Sequence, residues 1–298
     1  MVDEEKKTLA YYPGCELRTR ARVLDSSARR SCESLGITLQ ELKDWTCCGG
    51  LVAQVKDNYM ALLAPARVLL QAHRQGFKEL VTLCAFCFNT LRRASYFLER
   101  HAEARRKVAT FLEVETLPQV RVLHLLEVLC DRVGIDRLRE AVRRPLKGLR
   151  VAPYYGCLLL RPAREISLDD PEEPVLMEKL LGALGCEVVD FSSRTDCCGS
   201  YHIVTNQGAA SQCARAILHS AANANADVLT ASCPVCQFNL DWSQSGNGDT
   251  AMPVVYFAQL LALALGEPME RLGFDARAAA ALERSAAADK GEASREGG

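Results

Sequence analysis

Ten of the fourteen cysteines in this 298-residue chain fall into one pattern that occurs twice. The first copy runs Cys15, 31 residues, Cys47-Cys48, 35 residues, Cys84, two residues, Cys87. The second runs Cys157, 39 residues, Cys197-Cys198, 34 residues, Cys233, two residues, Cys236. Matching cysteines lie 142 to 150 residues apart, so the chain reads as an internal duplication. Whatever the fold, it must bring five distant thiols together twice.

The segments between the cysteines repeat as well. Apolar, strand-like runs at 9–12 and 151–155 lead into Gly-Cys turns at Gly14-Cys15 and Gly156-Cys157. Helical stretches follow at 21–34 and 175–184, and each stops at a glycine, Gly36 or Gly185. Short second strands are predicted at 37–42 and 187–191, ahead of the Cys-Cys-Gly doublets. Helices at 59–73 and 208–222 lead to third strands at 79–83 and 227–231, which run into the Cys-x2-Cys turns. Both turns then pass through an asparagine, Asn89 or Asn239. Leu-rich helices at 120–133 and 254–265 close the two halves.

Strands alternating with helices over short connections predict an α/β protein of two duplicated domains with mostly parallel sheets. The cysteines then sit at strand ends, where open α/β sheets place their ligands. The expected division is 8–145, 146–270 and a polar tail at 275–298, the last a short helix running into disorder.

Net charge is −1 and no basic stripe is present, which argues against nucleic acid. The first residues carry charges of both signs and no apolar signal core. The longest apolar stretch, 257–265, is far short of the roughly 20 residues that cross a bilayer. The expectation is a cytoplasmic protein with no membrane span. In that setting clustered cysteines are read as metal ligands ahead of disulfides. Cys32, Cys130, Cys186 and Cys213 fall outside the pattern and read as small core residues.

Soft thiolates select zinc, Cu(I) or iron–sulfur clusters. A zinc site uses four and leaves one cysteine over in each half. Adjacent cysteines are awkward on one tetrahedral ion and suit a larger cluster, whose neighbouring sulfurs reach different irons. The glycine after each doublet, Gly49 or Gly199, lets backbone come close to such a centre. The Cys-x2-Cys-x2-Cys-x3-Cys-Pro run of bacterial ferredoxins is absent. Zinc and disulfides stay open as competing readings, both weakened by the same surplus occurring twice.

These residues resemble the CCG-domain family, and within it the B component (HdrB-like) of heterodisulfide reductases. The resemblance covers about residues 8–265. Its best local matches are Tyr-Tyr-Gly-Cys-Leu-Leu-Leu-Arg-Pro at 154–162, Asp-Cys-Cys-Gly-Ser at 196–200 and Cys-Pro-Val-Cys at 233–236. It implies two non-cubane [4Fe–4S] clusters, each a pair of smaller iron–sulfur units fused through shared atoms. Cys15, Cys47, Cys48, Cys84 and Cys87 would hold the first; Cys157, Cys197, Cys198, Cys233 and Cys236 would hold the second.

The resemblance also implies a catalytic oxidoreductase subunit that reduces or forms disulfides, or handles sulfane sulfur. Its partners would be a ferredoxin-like C component and a flavin-bearing A component of the same complex. The substrate would be a disulfide or protein-bound sulfur. The alternative within the family is an electron-transfer subunit of a glycolate, lactate, succinate or glycerol-3-phosphate oxidoreductase.

Four further side chains are candidates. His124 is placed on an apolar helix at 122–129 as a satisfied core residue. His202 follows the second doublet and is placed to approach the second cluster. Tyr155 and Tyr201 are candidates for hydrogen bonds that tune that cluster.

Overall fold

The computed structural model describes residues 7–50, 59–244 and 251–293. The charged start at 1–6 and the last tail residues, 294–298, lie outside them. Four parallel strands form the first sheet: β1 (Lys7–Tyr11), β2 (Ile37–Glu41), β3 (Glu79–Thr82) and β4 (Arg121–His124). Four more form the second: β5 (Arg150–Tyr154), β6 (Glu187–Val188), β7 (Val228–Ala231) and β8 (Val254–Tyr256). The orders are β2-β1-β3-β4 and β6-β5-β7-β8, so the duplication extends to topology. The fold is α/β, as expected. In each sheet the order reverses between the first and third strands, which opens a crevice at their carboxyl ends.

β3 and β7 are almost wholly buried, as strands covered on both faces must be. The strand predicted at 187–191 shrinks to two residues, and Pro153 accounts for this. Leu149 and Val151 accept from the β6 segment, so the Pro153 nitrogen faces the same neighbour. It carries no hydrogen to donate, and the ladder ends at Val151–Val188. In the first sheet Tyr11 takes the matching place, four residues before its cysteine, its carbonyl accepts from Leu42 N, and the β1–β2 ladder runs through five residue pairs.

The closing segments correct the sequence reading. Residues 120–133 and 254–265 are not helices throughout; each opens with a buried strand, β4 or β8. Helix follows at once, Leu125–Glu127 and Phe257–Ala264, with no turn between to mark the change. A run of three or four residues is too short to show a period that separates strand from helix. His124 therefore ends a strand rather than lying within a helix.

Nor do the repeats keep separate cores. Helix Phe257–Ala264 of the second packs on helix Arg22–Ser34 of the first. The segment after β4 packs on helix Leu176–Ala183 of the second. One apolar core runs through both repeats. The first repeat adds a small core of its own under helix Ala102–Phe111, built on Ala66, Leu98, Val108, Ala109 and Leu117. At the C-terminus, helix Ala276–Ala293 is longer than the short one expected, and it buries Ala278, Ala281 and Leu282.

Candidate functional site

Each cysteine of the pattern lies in a segment that follows a strand. Cys15 follows β1 in the short helix Gly14–Arg18, and Cys157 follows β5. The doublets follow β2 and β6. Cys84 caps helix Ala85–Arg100 immediately after β3, and Cys87 lies in its first turn. Cys233 and Cys236 hold the same places at helix Pro234–Gln244. A helix start carries unpaired N–H groups and positive potential, which favours thiolate.

The two sets are built alike. The Sγ atoms of Cys48 and Cys87 are 3.5 Å apart, and those of Cys198 and Cys236 are 3.3 Å apart. The amide of Gly49 points at Cys47 Sγ and that of Gly199 at Cys197 Sγ, each at 3.4 Å. Three cysteines of each set are buried: Cys48, Cys84 and Cys87, then Cys198, Cys233 and Cys236. Cys15, Cys47 and Cys197 are exposed and Cys157 is half-buried.

The thiols of a set feel one another. Hydrogen bonds from Cys47 and Cys87 bring Cys48 down to about 3, while proton sharing and burial push Cys87 up. A bond from Cys157 lowers Cys197 to about 6, and one from Cys236 lowers Cys198 to about 7. Burial and the charge of Cys84 raise Cys15. Packed this closely, the five cannot all ionise unless cationic charge lies among them.

The donor set fits a soft, thiolate-bound centre, and the backbone makes room for it. Gly14 has φ +71°, and a Cβ there would stand 2.8 Å from Cys87 Sγ. At Gly156, φ +65°, a Cβ would stand 3.5 Å from Cys236 Sγ. The glycine after each doublet takes positive φ, +72° at Gly49 and +80° at Gly199, and also makes room for the helix that follows. A Cβ on Gly49 would strike Ala64, and one on Gly199 would strike Ala210 and Cys213, so these glycines admit the following helix. Among the described residues, no three His, Cys, Asp or Glu side chains are grouped as a single metal ion's ligands.

Several supporting residues were missed in the sequence. Tyr12 donates to Thr46 O at 2.8 Å, and Tyr154 donates to Asp196 O at 2.7 Å. Each tyrosine stands three residues before its Cys and ties down the residue before the doublet. That spacing is visible in the sequence, but aligning the two Tyr-Tyr pairs hides it. Tyr155, the residue singled out instead, points elsewhere: its hydroxyl donates to Glu178 and accepts from Met177 N at 2.7 Å.

Tyr201 is near the second set. Burial and the charges of Cys157, Cys197 and Cys233 raise its hydroxyl, and its ring packs on Phe86 at 5.3 Å. His202 follows it, and its charge helps to lower Cys197. His124 is fully buried and bonded within the protein.

Asn89 and Asn239 are not equivalents. Asn239 donates to Cys198 O at 2.5 Å, inside its own repeat. Thr90 takes the matching place, close to Gly50. Of the four cysteines outside the pattern, Cys32, Cys130 and Cys186 are buried and Cys213 is half-buried.

The two sets are neighbours. A small cavity is lined by Ala85 and Phe86 of the first Cys-x2-Cys turn and by Cys157, Cys198, Tyr201 and Cys236 of the second set. Tyr256 donates to Gln237 Oε1 at 3.2 Å and feels both Cys233 and Cys84.

A model of the cysteine-rich domain family, CCG, matches residues 9–92 and 151–241. The chain is 34% identical to the 8-methylmenaquinol:fumarate reductase membrane anchor subunit of Wolinella succinogenes, over 91% of this chain and 96% of that one. It is 28% identical to the B component of the ferredoxin/F420H2-dependent CoB-CoM heterodisulfide reductase of Methanosarcina acetivorans, over 92% and 95%. In fold it is similar to a hypothetical protein of Helicobacter pylori, with TM-score 0.70 at 14% identity, over 90% of this chain and 51% of that one. Among the described residues no helix is long and apolar enough to cross a membrane.

Proposed function

The chain belongs to the CCG cysteine-rich domain family, and on that premise we propose that it is the catalytic iron–sulfur subunit of a heterodisulfide reductase-like complex. Its ten patterned cysteines hold two non-cubane [4Fe–4S] clusters: Cys15, Cys47, Cys48, Cys84 and Cys87 the first, Cys157, Cys197, Cys198, Cys233 and Cys236 the second. One observation carries the reading. Five thiols come together beyond the strands of each repeat, three of them buried and the other two exposed or, at Cys157, half-buried.

Such clusters supply electrons one at a time, and two of them supply the pair that a disulfide needs. The protein positions the rest. Buried thiols fix each centre, the Gly49 and Gly199 amides aim at the outer sulfurs, and Tyr12 and Tyr154 hold the doublet loops in place. The outward cysteines leave a side open to a disulfide or protein-bound sulfur.

No dinucleotide fingerprint or ferredoxin run accompanies the two sets, so electrons come from partners: a ferredoxin-like component and a flavin-bearing one. A cytoplasmic location belongs to the same proposal. The domain limits read from the sequence, 8–145 and 146–270, are kept as the two repeat units of one shared core.

A second reading has its own support. The 34% relative is a fumarate reductase subunit, which favours an electron-transfer role between a quinol-linked partner and an acceptor.

Anaerobic purification tests both. Iron and acid-labile sulfide amounting to two four-iron clusters, with EPR signals altered by thiol, are expected from sulfur chemistry. The same clusters with thiol-insensitive signals would leave electron transfer. Stoichiometric zinc without sulfide would sink both.

A further inference from the structure

Helix Ala85–Arg100 belongs to the first repeat, yet one of its faces is turned to the second. Phe86, Asn89 and Arg93, at helical positions i, i+3 and i+7, all reach across. The Phe86 ring packs on Tyr201, which follows the second doublet. Arg93 Nε donates to Glu165 Oε2 at 2.6 Å. Between them Asn89, with no exposed surface, donates through Nδ2 to Leu158 O and Arg161 O, each at 2.7 Å.

Those carbonyls belong to the turn that begins at Cys157. The turn closes on itself, because the Cys157 carbonyl accepts from Leu160 N at 3.3 Å and Arg161 N at 3.0 Å. Its outer carbonyls are served by the other repeat. Removing the amide would leave both without that donor in a part-buried place, which is costlier than losing a solvent-exposed bond.

The reverse contact differs. Phe238, two residues past Cys236 as Asn89 is past Cys87, takes the Arg20 guanidinium over its ring at 4.7 Å. The Cys15 turn is instead secured from within, by Thr19 Oγ1 donating to Cys15 O at 3.0 Å.

We propose that Asn89 is a positioning residue for the second cysteine set, fixing from the first repeat the turn that carries Cys157. Among the described residues the dependence runs one way: the second set leans on the first repeat through part-buried hydrogen bonds, and the Cys15 turn does not lean back in kind.

Asn89→Leu in the full chain removes the donors at similar size. In metal-free protein, iodoacetamide labelling followed cysteine by cysteine with peptide mass spectrometry reads the order of each turn. Cys157 is expected to label on the order of 25-fold faster, from two bonds each worth roughly a factor of five, with Cys15 unchanged. Arg93→Gln, which removes the Glu165 ion pair and keeps Asn89, is expected to give a smaller change in the same direction. It serves if Asn89→Leu does not fold. Phe238→Leu should leave Cys157 as it is.

Unchanged Cys157 labelling in the folded variants, or equal acceleration at Cys15 and Cys157, overturns the proposal. A second arm rests on the iron–sulfur reading: the EPR signal that Cys157→Ser abolishes should shift in Asn89→Leu, and the one that Cys15→Ser abolishes should not. Selective labelling in a protein that assembles no cluster would uphold the positioning role and defeat only that reading.

Discussion

His124 gives the protein a definite response to acid. It ends β4 with its imidazole wholly buried, beside the rings of Phe88 and Phe257. The Leu126 amide can only donate, so Nδ1, 3.2 Å away, accepts. Nε2 therefore carries the hydrogen and donates to Leu83 O at 3.1 Å. A neutral ring satisfies both partners, and a second proton would break the bond to Leu126. Burial pushes the His124 pKa down to about 4, opposed in part by the Leu83 carbonyl.

The sign follows from proton counting. Between the unfolded value near 6.5 and the folded value near 4, the unfolded chain binds the extra proton, so stability falls as pH falls. At pH 5 the loss is about 2 kcal/mol, and it approaches about 3 kcal/mol below pH 4. Above pH 6.5 His124 contributes no slope. His124→Gln keeps an amide donor and acceptor but cannot titrate. Urea unfolding of wild type and His124→Gln in metal-free protein, at pH 7.5 and pH 5, isolates the difference, since other titrating groups are shared. The wild type should lose about 2 kcal/mol more than the variant over that interval. Equal losses would mean that the ring is not held neutral by its surroundings.

Cys197→Ser should lower the iron content and remove the EPR signal of the second set while leaving that of the first, because the sets share no cysteine; equal loss of both signals would refute two separate sites. Tyr154→Phe removes a 2.7 Å bond to the carbonyl before the second doublet. It should cost about 1 kcal/mol in chemical unfolding and broaden only the second signal. Tyr155→Phe should cost stability through helix Leu176–Ala183 with that signal unchanged; the opposite ranking would restore Tyr155 as the tuning residue.

What the sequence disclosed is what short stretches determine. The glycine stops, the strand-to-cysteine junctions and the doublets are local signals, and the structure repeats them twice. β4 and β8 escaped because three or four residues joined directly to a helix are too few to show a period of their own. The contraction of β6 was written in Pro153, but only the facing of its nitrogen gives that proline its effect. The shared core was illegible for a different reason. Leu and Ala on helix Phe257–Ala264 say that a face will be buried and nothing about which repeat will bury it.

The asparagines show where pattern matching misleads. Asn89 and Asn239 both follow a Cys-x2-Cys turn and look like one feature written twice. They differ in position by one residue, and one residue on a helix is about 100° of rotation. That rotation carries Asn239 to the carbonyl of Cys198 in its own repeat and Asn89 to the Cys157 turn of the other. Duplication made two equivalent cysteine sets. What distinguishes them includes a contact between the repeats, from Asn89 to the carbonyls of the Cys157 turn, and one within the second repeat, from Asn239 to Cys198 O.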